Sequence, residues 1–348
     1  MIVINTYKPP FFDTLLCRDF DAYVNFDFTV SDKIEKIYNT EIILITNSNS
    51  LKNLFGFIQW YIDILKFDHI VLIDNYPTNR ASDFEDFSKV SYEHKPGILS
   101  QSKIYTEYVN KSKAKWVLPI DDDEFLYISE KFNHNINTFL KSMMNNHFSY
   151  KYSFEWHMMF SNTLFQNMPD DLYLNKYIYT TFGLNTKIDN INLIKTIVNT
   201  DIKHLYCNDN ATPCLIDAES TKAEKLIIKD KEPVGYNVTG TVHNPLSKDS
   251  NNIIHESYNY TANKKIKGLY YVGPLNINSD VFIAHYKYRS AAEYQNKITN
   301  YKFPDILSKY VNSNYRISTI YDVYNSIKNN CTVQPELFNL YNQYINNL

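Results

Sequence analysis

Glycine, cysteine and surplus positive charge are all scarce in this chain. Its 348 residues include 7 glycines and 4 cysteines, and the formal net charge is −3. The few glycines form no cluster, so the chain has no glycine-rich loop of the kind that cradles phosphates. Binding to a nucleic-acid backbone needs clustered Lys and Arg side chains, and the overall charge gives no sign of them. We therefore expect no nucleic-acid partner.

Long apolar runs and a secretory leader are also missing. No uninterrupted apolar run reaches the roughly 18 residues that span a membrane, and the N-terminus lacks a basic segment followed by a continuous apolar one. The four cysteines are too scattered for a disulfide framework or a cysteine-rich zinc site. We expect free thiols, although Cys207 and Cys214 could pair in an oxidising compartment. These absences predict a cytoplasmic protein without a transmembrane segment, in the host cytoplasm if the source is viral.

What the chain does contain is enough apolar sequence for a large core. Hydrophobic residues make up 44% of it and aromatic residues 16%. These fractions are typical of a globular protein with one big domain or two ordinary ones. The abundance of Asn, Lys, Ile, Tyr and Phe is typical of an AT-rich coding sequence, so it carries little functional meaning.

A β-α-β pattern begins at residue 41. The β-branched run Glu41–Thr46 predicts a buried strand, and residues 51–65 then show apolar positions at helical spacing. The polar residues 47–50 between them can cap that helix. A second apolar run follows at residues 69–73. Two strands joined by a helix indicate a parallel sheet, and hence an α/β fold.

The same alternation continues in looser form. It predicts strands at residues 90–95, 116–120 and 149–160 and helices at about 98–108 and 132–144. Residues 161–280 look like mixed strands and loops, and residues 288–348 look mainly helical. Pro119 fits poorly in an inner strand, because proline cannot donate to the strand ladder.

Carboxylates follow two of the predicted strands. Asp74-Asn75 comes after one, and Asp121-Asp122-Asp123-Glu124 comes after the other. In open α/β sheets ligands bind outside the carboxyl ends of the strands. Grouped carboxylates there call for a cation, and Mg²⁺ or Mn²⁺ suits oxygen ligands. Asp19-Phe20-Asp21 has the same spacing but no apolar strand before it, so we interpret it as solvated surface.

Ordered blocks of the sequence resemble the GT-A glycosyltransferases, in particular the family 92 type and its family 2-like relatives. The blocks extend from residue 41 to about residue 300, and the acidic block and the His-Tyr block are the most specific. They are Trp60-Tyr61 with Phe67-Asp68-His69 and Asp74-Asn75; Gln101 with Tyr105; the strand at 116–120 with Asp121-Asp122-Asp123-Glu124-Phe125; residues 156–160; residues 195–198 with His204; and His285-Tyr286 with Ser290, Glu293 and Lys297.

The resemblance implies a mostly parallel, Rossmann-like sheet of the GT-A type, flanked by helices. Residues 41–130 would form the nucleotide-binding half and residues 131–300 the acceptor-binding half of one domain. An N-terminal extension at 1–40 and a helical C-terminal tail at 301–348 would complete the chain.

The resemblance also implies a reaction. The chain would be a metal-dependent glycosyltransferase that moves a sugar from a UDP- or GDP-sugar to an acceptor hydroxyl, with inversion. The acceptor would be a glycan, a protein or a lipid-linked molecule. A metal-dependent nucleotidyltransferase or phosphodiesterase is the alternative, since acidic strand ends serve phosphoryl chemistry too. A non-catalytic carbohydrate-binding protein on the same fold is a third hypothesis.

Site residues follow from the matching motif positions. Asp123 would bind Mn²⁺ or Mg²⁺, Asp121 would ligate it through water or lie near the ribose, and His285 would be a third ligand. The donor would contact the following residues: Asp74, Asn75, Gln101 and Lys297, with Arg289 as an alternative to Lys297.

An inverting transfer also needs a carboxylate that takes the acceptor proton. Asp217 is the first candidate, with Glu219 beside it, because both lie about one hundred residues after the acidic block. Glu155 is the second candidate, because its strand could enter the cleft. The neighbouring Trp156 could stack on a sugar, although we expect an aromatic residue of this tyrosine-rich chain to lie in the hydrophobic core unless other evidence points elsewhere.

Overall fold

The computed structural model describes part of the chain, and all structural statements below concern that part. It comprises residues 26–27, 34–48, 50–97, 99–160, 179–181, 191–206, 228–229, 232–233, 243–251, 253–266, 270–272, 279–286, 331–333 and 335–347. The helices are α1 (Leu51–Gln59), which continues as the π-helical stretch Trp60–Ile64, α2 (Gln101–Lys111), α3 (Ile136–Asn146) and α4 (Glu336–Asn346), with 3₁₀ turns at Ala81–Phe84 and Glu130–Phe132.

The strands in chain order are β1 (Tyr38–Thr46), β2 (His69–Asp74), β3 (Val90–His94), β4 (Ala114–Asp121), β5 (Glu124–Ile128), β6 (Lys151–Phe160), β7 (Tyr179–Thr181), β8 (Ile191–Asn199), β9 (Lys203–Leu205), β10 (Ile228–Lys229), β11 (Glu232–Pro233), β12 (Leu246–Lys248), β13 (Ser257–Asn259), β14 (Lys264–Ile266), β15 (Tyr270–Val272), β16 (Val281–His285) and β17 (Cys331–Val333).

Thirteen of these strands form one sheet, whose main path runs β14-β13-β6-β8-β4-β1-β2-β3. The neighbours β4, β1, β2 and β3 are all parallel, while β8 runs antiparallel to both β4 and β6. The carboxyl ends of β1, β2 and β4 therefore meet at one edge. Off the main path, β16 lies between β5 and β6 and brings its own carboxyl end to that region.

Helices cover both faces of the parallel part. Ile42 and Leu44 of β1 belong to a core formed with α1, α3 and α4, whereas Ile43 between them belongs to a second core formed with α2. Successive residues of a strand point to opposite faces, so a strand covered on both sides is a continuous apolar run. The prediction of an α/β fold with a mostly parallel sheet flanked by helices is confirmed.

The elements differ from their predicted bounds at several points. Strand β1 begins at Tyr38, inside the segment that we predicted as an N-terminal extension. The helix predicted for residues 51–65 changes to π-helical geometry at Trp60, and its N-cap is Ser50, whose side chain accepts from the backbone N–H of Asn53. The predicted C-terminal helix is present as α4, with the strand β17 shortly before it.

Pro119 proves compatible with strand β4. Its neighbour in the register is Ile43 of β1, while only Trp116 and Val117 of β4 pair with β8. The proline therefore lies beyond the short ladder with β8, where a missing donor breaks no strand pair. No helix in the described ranges is both long and apolar enough to cross a membrane.

Candidate functional site

The acidic turn between β4 and β5 faces the end of β16. Asp121 closes β4, Glu124 opens β5, and Glu124 lies directly opposite His285 in the antiparallel register. The backbone N–H of Tyr286 donates to the Asp123 carbonyl over 2.8 Å. This pairing sets Asp123 Oδ1 3.5 Å from His285 Nε2, with both side chains almost fully buried. Two of the predicted metal ligands are therefore neighbours.

Helix α2 orients the third of these side chains, Asp121. Gln101, at the first turn of α2, donates from Nε2 to Asp121 Oδ1 over 2.6 Å. The Tyr105 hydroxyl, one turn later on the same helix face, lies 3.2 Å from the same oxygen. Because residues four apart lie on one side of a helix, both donors reach the strand end together. Gln101 thus contacts the acidic turn itself.

A buried lysine neutralises the turn from the other side. Lys195 projects from β8 with 1% of its surface exposed, and its Nζ lies 3.0 Å from Glu124 Oε2 and 3.4 Å from Asp121 Oδ2. A buried ammonium without a carboxylate partner is strongly unfavourable, and the same holds for the carboxylates. The cluster of Asp121, Glu124 and Lys195 is therefore a mutually dependent unit.

Burial and charge act on the pKa values of this unit in opposite directions. Burial raises the pKa of Asp121, but the Lys195 ammonium together with His243 and His285 outweighs it, and the net pKa lies below the usual range. For Glu124 burial prevails over Lys195 and raises the pKa to about 8. Burial lowers the pKa of Lys195, and the two carboxylates more than reverse that effect. Lys195 therefore holds Asp121 ionised, while burial favours the protonated form of Glu124.

Two buried polar atoms beside the turn have no hydrogen-bond partner within the described ranges. They are Glu124 Oε1 and the indole Nε1 of Trp156. The Trp156 ring packs edge-on against His285 at 4.3 Å and against His243 at 4.7 Å between ring centroids. A buried polar atom without a partner is costly. A bound ligand or water that satisfied these atoms would relieve that cost, so they mark a place for one.

The donor set fits a divalent cation only with help from a ligand. No group of three or more His, Cys, Asp or Glu side chains in the described part of the chain is arranged to hold a metal by itself. Asp123 and His285 supply a carboxylate and an imidazole at a separation close to the roughly 3–3.5 Å between two ligands of one ion. Mg²⁺ in nucleotide enzymes is commonly held by one or two carboxylates plus phosphate oxygens and water, so two protein groups suffice there.

Asp74, expected to contact the nucleoside, already has a full set of partners. Its Oδ1 and Oδ2 accept from Arg80 over 2.7 and 2.9 Å, and it also accepts from the Tyr76 backbone and the Tyr92 hydroxyl. Burial raises the pKa of Asp74, but these donors outweigh it and hold the pKa below its usual range. Asn75 donates to the carbonyls of residues 95 and 97. Their roles toward a nucleoside stay predictions.

Of the candidates for the catalytic base, only Glu155 lies in the described part of the chain, and it does not join the acidic turn. Glu155 is buried on β6 beside Trp156, and its Oε1 lies 3.3 Å from His157. Adjacent residues of a strand point to opposite faces, so Glu155 points away from the Trp156 side. The other base candidates, Asp217 and Glu219, lie outside the described residues, as do the predicted donor contacts Lys297 and Arg289.

The sequence analysis did not identify the ion pairs of two charged residues, Lys195 and Arg80. Lys195 is the one charged residue in the otherwise apolar or neutral segment Ile191–Asn199, and a charge in a buried strand indicates an internal ion pair. That signal could have identified it as the partner of the acidic turn. Arg80 lies in a polar loop where nothing in the local pattern distinguishes it.

Comparison with known proteins does not assign the chain to a family. No protein-family model matches the chain, and no curated protein matches it. Among solved structures it is similar to the crystal structure of S. aureus TarS 1–349, with 14% identity and a TM-score of 0.28. That match covers 47% of this chain and 47% of the other, so the chain spans about half the length of that neighbour.

Proposed function

We propose that the chain is a glycosyltransferase that transfers a sugar from a nucleoside-diphosphate donor to an acceptor hydroxyl. One observation carries the proposal. Asp123 and His285 face each other at the edge where the parallel strands of the sheet end, beside Glu124 Oε1 and Trp156 Nε1, which have no partner among the described residues. Ligands of open α/β sheets bind at this edge. The motif resemblance supplies the reaction class.

Some residues of the site would bind the cation, and others orient the side chains around it. Asp123 and His285 would bind Mn²⁺ or Mg²⁺, and the ion would supply positive charge to the diphosphate that leaves. Lys195 and Gln101 hold the Asp121 carboxylate in one orientation. In that orientation the negative carboxylate would face the ribose of the donor. Trp156 would donate its indole N–H, which has no acceptor among the described residues, to the bound ligand.

We further propose that the transfer is inverting and that Asp217 is the base. Such a reaction needs a carboxylate within hydrogen-bond reach of the acceptor hydroxyl, worth roughly 10²–10⁴ in rate. Glu155 is the weaker candidate for the base, because its side chain lies on the opposite face of β6 from that of Trp156. Asp217→Asn should lower turnover and leave donor affinity intact, because the base acts mainly in the transition state.

Calorimetric titration with UDP and GDP, with and without Mn²⁺, tests the core of the proposal. Wild type should bind one of the two nucleotides far more tightly when Mn²⁺ is present. Asp123→Asn should reduce that metal-dependent affinity by at least about 10–100-fold, since that is the loss typical of a residue that merely orients a metal ligand, and Asp123 would be a ligand itself. Nucleotide binding that needs no metal and survives Asp123→Asn would overturn the proposed site.

Asp122→Asn is the matched control, because Asp122 belongs to the same turn and its Oδ2 accepts from the Thr46 hydroxyl over 2.6 Å. This variant removes the same charge from the neighbouring position and should change affinity only a few-fold. Assays of donor hydrolysis across nucleotide sugars then separate the reaction classes. Release of a nucleoside monophosphate together with a sugar 1-phosphate would favour the phosphodiesterase alternative. Release of pyrophosphate from a nucleoside triphosphate supplied with a sugar 1-phosphate would favour the nucleotidyltransferase alternative.

A further inference from the structure

We infer that the cavity between helix α3 and the hairpin β13–β14 is a binding site for an uncharged oligosaccharide, separate from the acidic turn. The cavity has a volume of about 360 Å³, at the lower end of the range for small-molecule sites. Its lining combines aromatic and imidazole rings with amide and hydroxyl groups, namely Lys131, Phe132, Ser142, Met143, Asn146, His147, Tyr258, Tyr260 and Asn263.

The rings of this cavity are held in place before any ligand arrives. Tyr258 stacks on His147 with 4.5 Å between centroids and an angle of 15°, and the Tyr258 hydroxyl donates to Asn263 Oδ1. The Tyr260 hydroxyl is fixed by Lys131 Nζ at 2.7 Å and by Asp280 Oδ2 at 3.0 Å. Fixed side chains lose little conformational freedom when a ligand binds, which favours affinity.

The charges and polar groups favour a neutral ligand. Lys131, the one permanently charged residue of the lining, is paired with Asp280 at 2.9 Å and offers little free charge. Asn146, His147 and Asn263 are exposed, so the cavity opens to solvent between amide groups that can both donate and accept. A sugar ring presents an apolar C–H face to an aromatic ring and hydroxyls to amides. That match, together with the proposed glycosyltransferase function on which the choice of ligand class partly rests, selects a saccharide.

The cavity and the acidic turn lie at different places along β6. Tyr258 pairs with Tyr152, whereas Ile283 of β16 pairs with Trp156, four residues further along β6. At roughly 3.3 Å per residue the two positions are about 13 Å apart along the strand. The cavity therefore does not share the residues of the acidic turn, and a ligand there leaves the turn accessible.

Neutral hexasaccharides test the inference directly. Cellohexaose, maltohexaose, xylohexaose and chitohexaose are titrated into the whole protein without nucleotide or metal, and binding is followed by saturation-transfer NMR and calorimetry. A heparin hexasaccharide serves as the anionic comparison. At least one neutral hexasaccharide should bind with a dissociation constant below about 10 mM, and the heparin hexasaccharide should bind no more tightly than that one. If none of the four binds in that range, or heparin alone binds, the inference is wrong.

Substitutions locate the ligand. His147→Ala removes an exposed ring of the cavity and should weaken binding about tenfold. Phe148→Ala is the matched control, because Phe148 is the adjacent residue, is 65% exposed and does not line the cavity. Equal affinity of wild type and His147→Ala would refute the assignment. Asn146→Ala offers a second exposed position with the same expected direction.

Asp123→Asn separates this inference from the proposed function. Its hexasaccharide affinity should equal that of wild type, and a loss there would place the sugar at the acidic turn and overturn the separate site. If hexasaccharides bind at the cavity while UDP and GDP fail to bind with Mn²⁺, the proposed function is wrong and the saccharide site stands.

Discussion

The ends of β2 and β4 carry the same kind of sequence signal and have opposite properties. Both strands end in an aspartate at the same edge of the sheet, Asp74 opposite Thr46 and Asp121 opposite Ile45 of β1. Asp74 is fully buried and all its acceptor capacity is directed to nearby donors. Beside Asp121, by contrast, Glu124 Oε1 and the nearby Trp156 Nε1 are buried without a partner in the described ranges. We therefore expect a strand-end carboxylate to take part in ligand binding where its surroundings leave buried polar atoms unsatisfied.

The β2 end has an identifiable structural purpose. Arg80, held in two places by Asp74, donates from its remaining nitrogen to the carbonyl of Ser48 over 2.8 Å, and its guanidinium lies 4.3 Å from the centre of the Tyr76 ring. The ion pair thereby ties the loop after β1 to the loop after β2. Thr46, the last residue of β1, donates to Asp122 of the acidic turn, so the loop after β1 begins beside that turn.

Removing the lysine of the β4 end should give the largest loss of stability. Lys195→Met removes the ammonium that pairs with the partly exposed Asp121 and the buried Glu124, and loss of one partner of a buried ion pair costs about 3–5 kcal/mol. The free energy of unfolding from urea titration at pH 7 measures the loss. Lys111→Met is the control: Lys111 is 73% exposed in its pair with Glu107, and such surface pairs contribute less than about 1 kcal/mol. Similar losses for both variants would show that the buried unit is not mutually dependent.

Asp74→Asn should destabilise the protein by about 2–3 kcal/mol, because it leaves the buried Arg80 without its charged partner. The pKa of Asp74 is lowered in the folded state, so its stabilisation is present above the ordinary value of 3.8 and is lost as pH falls through the folded value. The difference from wild type in urea unfolding should therefore be large at pH 7 and shrink toward pH 3. Metal-dependent UDP or GDP affinity of the folded variant should stay within a few-fold of wild type. A strong loss of this nucleotide affinity would instead support the predicted role of Asp74 as a nucleoside contact.

The alternation of apolar runs was sufficient to predict the parallel part of the fold. The run from Glu41 to Thr46 and the helical spacing after it reflect a strand covered on both faces and a helix with one buried side, which are local properties of the sequence. The acidic turn could be predicted for the same reason, because it follows such a strand directly.

The partners of the strand-end carboxylates could not be predicted in this way. Lys195 lies 74 positions after Asp121, and its contact depends on β8 entering the sheet antiparallel to β4. The Asp74–Arg80 pair is close in sequence but depends on how a polar loop folds back. Local patterns contain no information on either arrangement, so the distinction between an anchor and a ligand site appears only in three dimensions.

Glu124→Gln should give the smallest effect, and one of opposite sign to that of Asp74→Asn. Burial raises the pKa of Glu124 from 4.5 to about 8, so its contribution to stability is fully present below pH 4.5 and is lost as pH rises toward 8. The substituted amide side chain cannot ionise, and the variant should gain stability relative to wild type by about 1–3 kcal/mol between pH 5 and pH 8. Urea unfolding at these two pH values, with Glu107→Gln on the exposed face of α2 as the control, measures the change. A difference between variant and wild type that does not vary with pH would mean that Glu124 is ionised in the folded protein. In that case the acidic turn would resemble the β2 end, where charge is balanced internally, and the contrast between the two strand ends would lose its electrostatic basis.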